Sequence, residues 1–177
     1  MGVHVVLLRG VNVGPHNRVS MPALRQVLEA AGFVDVRTYL QSGNVVLASR
    51  KGSASVAREV RAALAGLGLD VAVVLRNAAE IARVVQKDPL GNVATDPKRY
   101  QVTFLESPPP RDFQARLEAA AVDGERVVVD RLEVYAWHPH GIARSRLWTS
   151  LLGKNLGVVA TSRNWTTVEA LHQLASD

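Results

Sequence analysis

Arg9, Asn12, His16, Asn17 and Arg18 fall in one short loop, "RGVNVGPHNR", between an apolar run and an amphipathic one. A guanidinium offers a planar fork of donors to phosphate or carboxylate oxygens, and amide and imidazole groups add more donors. These residue types together suit the holding of an anion. Gln41, Ser42 and Asn44 form a second polar group, and Arg144, Ser145, Arg163 and Asn164 a third. The candidate ligand-binding residues are therefore Arg9, Asn12, Arg18, Gln41, Ser42, Asn44, Arg144, Ser145, Arg163 and Asn164. No catalytic residue is assigned.

Nucleotide motifs are absent: Gly10-Val11-Asn12-Val13-Gly14 fits neither G-x-x-x-x-G-K-[ST] nor G-x-G-x-x-G. The bland alternative is that Gly10 and Gly14 turn the chain while Asn12 and Asn17 bond their own loop. His138 and His140 flank Pro139 at strand spacing, which lets them share a face, but two histidines with no nearby carboxylate make a poor metal site. No metal and no cofactor is expected. Ser42, Ser145 and Ser162 carry hydroxyls outside any G-x-S-x-G, so nothing points to a hydrolase.

The elements that must position these residues are legible from periodicity. Val3 to Leu8 reads as a buried strand. Ser20 caps a helix from Met21-Pro22 to Ala31, ended by Gly32, with Leu24, Val27 and Leu28 as its apolar stripe. Strands at Val36 to Leu40 and Val45 to Ala48 flank the tight turn Gln41-Ser42-Gly43-Asn44. Val56, Val60, Leu64 and Leu67 mark a helix opened by Ser53 or Ser55, and Val71 to Leu75 a fourth strand. The order βαββαβ is that of a ferredoxin-like unit. Asn77 and Glu80 have capping-box spacing for a short helix to Val85.

After the polar connection "QKDPLGNVATDPK", strand Gln101 to Leu105, helix Asp112 to Ala121, strands Arg126 to Val129 and Glu133 to Trp137, and helix Ala143 to Leu152 repeat the pattern up to its last strand. Thr166 and Glu169 are spaced to cap a final helix. The expected fold is α+β: duplicated ferredoxin-like βαββαβ units with an added C-terminal helix. The expected division is residues 1–86, a connection at 87–99, and 100–177. In such a unit the first two strands run parallel, so the loop after strand one and the hairpin after strand two open at one end of the sheet.

Composition sets the class. With 47% apolar residues in 177, the chain can bury a real core. It has no cysteine, so no disulfide, thiolate site or cysteine nucleophile is available, and the cytoplasm is the expected location. The first apolar run is too short for a signal segment or a membrane span, and Val6 breaks the myristoylation pattern. No membrane partner is expected.

Net charge is +5, unevenly spread: residues 1–51 carry six basic and two acidic groups, and 134–168 carry four basic and none acidic. Seventeen of the 21 basic residues are arginine, which suits phosphate contact and equally suits a GC-rich genome. Arg144 and Arg146 stand at a helix start, opposed to its dipole, and Arg163-Asn164-Trp165 places a cation, an amide and a ring in one loop. Trp165 is either a core anchor or a base-stacking platform.

On "LLRGVNVG", "VSMPALRQVLEAAGFVDVRTYLQSGNVVL", "DPKRYQVTFL", "GIARSRL" and "TSRNWTTVEAL" the chain resembles the bacterial domain of unknown function 1697 family. The resemblance implies a two-part α/β protein with ferredoxin-like elements and brings no activity or catalytic set. The positions matching its motifs include Arg9, Gly10, Asn12, Gly14, Gln41 to Asn44, Arg144, Ser145, Arg163 to Trp165 and Thr167. Pro15-His16 stands where relatives often have Gly and Lys, which weakens any claim that a lysine there is essential.

Three functional readings follow. The leading one is a protein whose Arg/Asn/Gln/Ser loops hold a nucleotide, a phosphorylated small molecule or a nucleic acid. The second is an enzyme on a small polar or phosphorylated substrate, with Arg9, Asn12, Gln41, Ser42 and Asn44 as transition-state donors and His16 as base. The third is a structural module whose polar loops only fix the chain. Burial of Arg9, Asn44, Arg144 and Arg163 against carbonyls would favour the third. Oligomeric state is left open.

Overall fold

Strand β1 (Gly2–Leu8) leads through the polar loop to helix α1 (Met21–Ala30), then to β2 (Val34–Tyr39), β3 (Asn44–Ser49), α2 (Ser53–Gly66) and β4 (Val73–Asn77). In the computed structural model, residues 1–153 and 156–177 are described. They divide into one unit of Met1–Arg83 with Ala170–Asp177 and a second of Val84–Glu169.

The first unit's sheet has the order β2-β3-β1-β4. β1 pairs antiparallel with β3 (Leu7 opposite Asn44) and with β4 (Leu8 opposite Val73), and β3 pairs antiparallel with β2. β1 and β2 are thus parallel with β3 between them, as the element order requires. Alternation sends Val6 and Leu8 of β1, Val45 and Leu47 of β3 and Val73 of β4 into one core, against Leu24 and Leu28 of α1 and Val56, Val60 and Leu64 of α2. Ser20 Oγ accepts the Ala23 N–H at the start of α1. At its end Gly32 takes φ +89 while Phe33 N–H reaches back to Leu28 O, the usual left-handed closure.

Helix α3 (Ala78–Lys87) follows β4 directly. Its capping box forms as the spacing predicts: Asn77 N–H donates to Glu80 Oε2 (2.7 Å) and Glu80 N–H to Asn77 Oδ1 (2.8 Å).

The second unit runs β5 (Tyr100–Leu105), α4 (Phe113–Ala120), β6 (Arg126–Asp130), β7 (Glu133–Trp137), α5 (Arg146–Leu152) and β8 (Ala160–Asn164), before α6 (Trp165–Ser176). Its sheet order β6-β7-β5-β8, all antiparallel, is the first unit's order again. Leu105, Val134, Ala136 and Ala160 face Phe113 and Leu117 of α4 and Leu147 and Leu151 of α5. The duplication is therefore complete.

Three local expectations are corrected. The second repeat does have its last strand: β8 is "ATSRN", a polar edge strand without an apolar run, held by pairing to β5. Arg163 and Asn164 therefore lie in a strand, not a loop. Helix α5 starts at Arg146 with Ser145 as N-cap, so Arg144 stands outside it. α6 is capped by Asn164, whose Oδ1 accepts the Thr167 N–H at 2.9 Å, and not by Thr166 and Glu169.

Candidate functional site

The loop after β1 is closed by one side chain. Asn12 adopts φ 56, in the left-handed region that asparagine tolerates. Its Nδ2 donates to Val19 O (2.9 Å) and Gln41 O (2.8 Å), and its Oδ1 accepts the Val19 N–H (2.9 Å). Both amide donors and the acceptor are engaged, and residues 12 to 19 become a ring fastened to the β2–β3 hairpin. The expected meeting of the two polar loops is realised through this residue.

The hairpin is seated from below. Leu8 N–H donates to Gly43 O at 2.9 Å. Gly43 has φ +74, and a Cβ there would stand 2.7 Å from Leu8 Cβ, so the turn can lie this close to β1 only with glycine. Asn44 is fully buried, and its Nδ2 donates to Tyr39 O (3.1 Å) and Ser42 Oγ (3.0 Å), which closes the turn from inside.

The candidate residues of the first unit thus separate by role. Asn12 and Asn44 spend their amides on the loops themselves. Arg9, Arg18, Gln41 and Ser42 are exposed, as is His16. Arg18 Nε donates to Gly14 O at 3.3 Å, which folds the guanidinium back over its own loop. Because β1 and β2 are parallel, Arg9 at the end of one and Gln41-Ser42 after the other emerge at one end of the sheet.

In the second unit, Ser145 Oγ accepts the Trp148 N–H at 2.8 Å and lies 3.2 Å from His138 Nδ1. The same Nδ1 is 2.7 Å from Glu125 Oε1, and Glu125 Oε2 accepts the Val122 N–H at 3.2 Å. Trp148 meets the His138 ring edge-on at 5.9 Å. Burial alone would raise the Glu125 pKa, but hydrogen bonds from Ser145, His138 and the Val122 N–H outweigh it and hold the carboxyl below its ordinary value.

A serine, a histidine and a carboxylate in contact invite comparison with a nucleophilic triad. A triad places serine on one imidazole nitrogen and the acid on the other. Here both sit on Nδ1 and the histidine is fully buried, so the serine is not activated; the cluster ties the N-cap of α5 to the start of β6. The sequence singled out neither Glu125 nor its partnership with His138, and no spacing rule links positions 13 apart across two strands. The expectation that His138 lacks a nearby carboxylate and shares a face with His140 is corrected: His138 is buried on Glu125, and His140 is exposed.

Arg163 is half-buried on β8, and one Nη1 donates to Thr161 Oγ1 and Ser162 O, each at 2.8 Å. Withdrawal from water lowers its pKa to about 10. Trp165 is buried and stacks on Tyr100 with centroids 4.7 Å apart and planes 15° apart, the anchoring arrangement of the two that the sequence allowed. Of the four side chains that would decide for a purely structural module, Asn44 is buried and Arg163 half-buried on its own strand, while Arg9 and Arg144 are exposed.

Among the described residues no helix is long and apolar enough to cross a membrane. A family model described as Protein of unknown function (DUF1697) matches residues 1–135. The motif blocks around Arg144 and Trp165 lie beyond that stretch. No curated protein matches the chain. A solved structure of a conserved bacterial protein from Streptococcus pneumoniae is similar over 98% of each chain, with a TM-score of 0.81 and 22% identity, a likeness of fold.

Proposed function

We propose that this chain, which belongs to the family described as Protein of unknown function (DUF1697), binds a phosphate-bearing ligand on the loop end of its first unit. The observation that carries the reading is the Asn12 bridge. It fastens the β1–α1 loop to the β2–β3 hairpin and so fixes the exposed Arg9, Arg18, Gln41 and Ser42 on one surface. Two arginines provide forked donors suited to phosphate oxygens, and Gln41 and Ser42 add neutral donors. Val13 and Leu40, each next in chain to a bridged residue, are 70% and 59% exposed. They give apolar contact to the base or sugar that follows a phosphate, which favours a nucleotide unit over a bare inorganic anion.

Fluorescence anisotropy with a labelled nucleoside triphosphate and a labelled single-stranded RNA tests this. Saturable binding of either, weakened by Arg9→Ala and by Arg18→Ala, is the expected result. Tighter binding of the strand than of the nucleotide would make the partner a nucleic acid. Absence of binding to both, or affinity indifferent to both substitutions, would overturn the reading.

A further inference from the structure

A cavity of about 430 Å³ opens in the second unit, walled by Val122, Asp123, Glu125, His140, Arg144 and Ser145 among others. It is independent of the loop surface of the first unit. Its volume lies within the range of about 300–1,000 Å³ common to small-molecule sites.

The floor is polar and held in place. Glu125 and Ser145 are buried, and the carboxylate takes hydrogen bonds from the Val122 N–H and His138. Two carboxylate oxygens offer about four acceptor positions, so roughly two remain for a ligand. The rim carries both signs of charge in the exposed Asp123 and Arg144, and the exposed His140 imidazole stands beside them. Among the described residues none of these three has a hydrogen bond or an ion pair. Among the described residues, the charges of Asp123 and Arg144 are therefore not used by the fold.

A purely anionic guest would meet the Glu125 and Asp123 carboxylates, and a purely cationic one would meet the Arg144 guanidinium; like charges brought together without water are costly. A guest with both charges satisfies both sides. We infer that this cavity binds a small zwitterion of the amino-acid or short-peptide class, its carboxylate toward Arg144 and His140 and its ammonium toward Asp123 and Glu125.

The test uses the full chain and ligand-observed NMR against a pool of the standard amino acids and a pool of dipeptides. Each ligand found is then titrated beside its N-acetylated and its carboxamide forms. The zwitterion should bind about tenfold or more tighter than either single-charge form. Arg144→Ala should remove the preference over the carboxamide, and Asp123→Asn the preference over the acetylated form. Both residues are exposed and make no bond among the described residues, and unchanged melting temperatures would confirm intact folding. No ligand in either pool, equal binding of the three forms, or preferences untouched by both substitutions would overturn the inference.

Discussion

The Asn12 side-chain amide donates to the Gln41 carbonyl at 2.8 Å across 29 positions of sequence. One amide thereby joins two loops that the sheet merely brings to the same end. Asn12→Ala removes three hydrogen bonds and a residue suited to the left-handed region. Urea unfolding should record a loss of about 1–3 kcal/mol. Proteolysis of the native protein should become faster within residues 12 to 19. A variant as stable and as resistant as the parent would show that the loop is held otherwise.

Gly43→Ala should be costly for two reasons at once, a backbone at φ +74 and a Cβ driven to 2.7 Å from Leu8 Cβ. Gly32→Ala supplies the comparison, since φ is +89 there and the added methyl meets open space. The second change should cost about 1 kcal/mol and the first about 1–3 kcal/mol more. Equal losses would mean that the hairpin can retreat from β1.

If a nucleic acid is the ligand of the first unit's loops, its binding should weaken with salt through release of counterions. Removing Arg9 or Arg18 should then lower the slope of log K against log salt by about one each. A slope unchanged in both variants would place the phosphates elsewhere.

Acid should destabilise the protein in two steps. His4 is buried, and desolvation lowers its pKa below the ordinary 6.5. The unfolded chain then takes up a proton that the folded one resists, so stability is full above about pH 6.5 and falls as pH drops from there toward the lowered value. Glu125 acts lower: its depressed pKa gives stability that is present above 4.5 and lost as pH falls through the folded value. Melting temperatures from pH 8 to pH 3 should show both, with His4→Gln flattening the upper step and Glu125→Gln the lower. Two steps persisting in both variants would assign them to other groups.

Trp165→Ala should lose the stack on Tyr100 and the anchor at the head of α6, at a cost of about 3–5 kcal/mol by thermal or urea unfolding. Trp165→Phe should recover most of it. A mild effect of the alanine would contradict the anchoring role.

Much of this molecule was determined by the sequence alone. Ser20 before Met21-Pro22, the Asn77/Glu80 pair and the stripe Val56, Val60, Leu64 specify their elements because caps and periodicity act within a few residues. The βαββαβ order then requires parallel β1 and β2, and with them the meeting of the two loops. The tertiary structure decided what each polar side chain does there. Asn12 and Arg9 are both motif residues of one loop, yet only packing made the first a fastening between loops and set the second on the surface. β8 escaped notice because "ATSRN" has no apolar run, and its strand state comes from the hydrogen bonds that β5 offers it. Glu125 and His138 read as an ordinary acid and an ordinary histidine until two adjacent strands put their atoms 2.7 Å apart. Local signals are written in neighbouring residues, whereas burial and long-range hydrogen bonds exist only once distant segments have closed on one another.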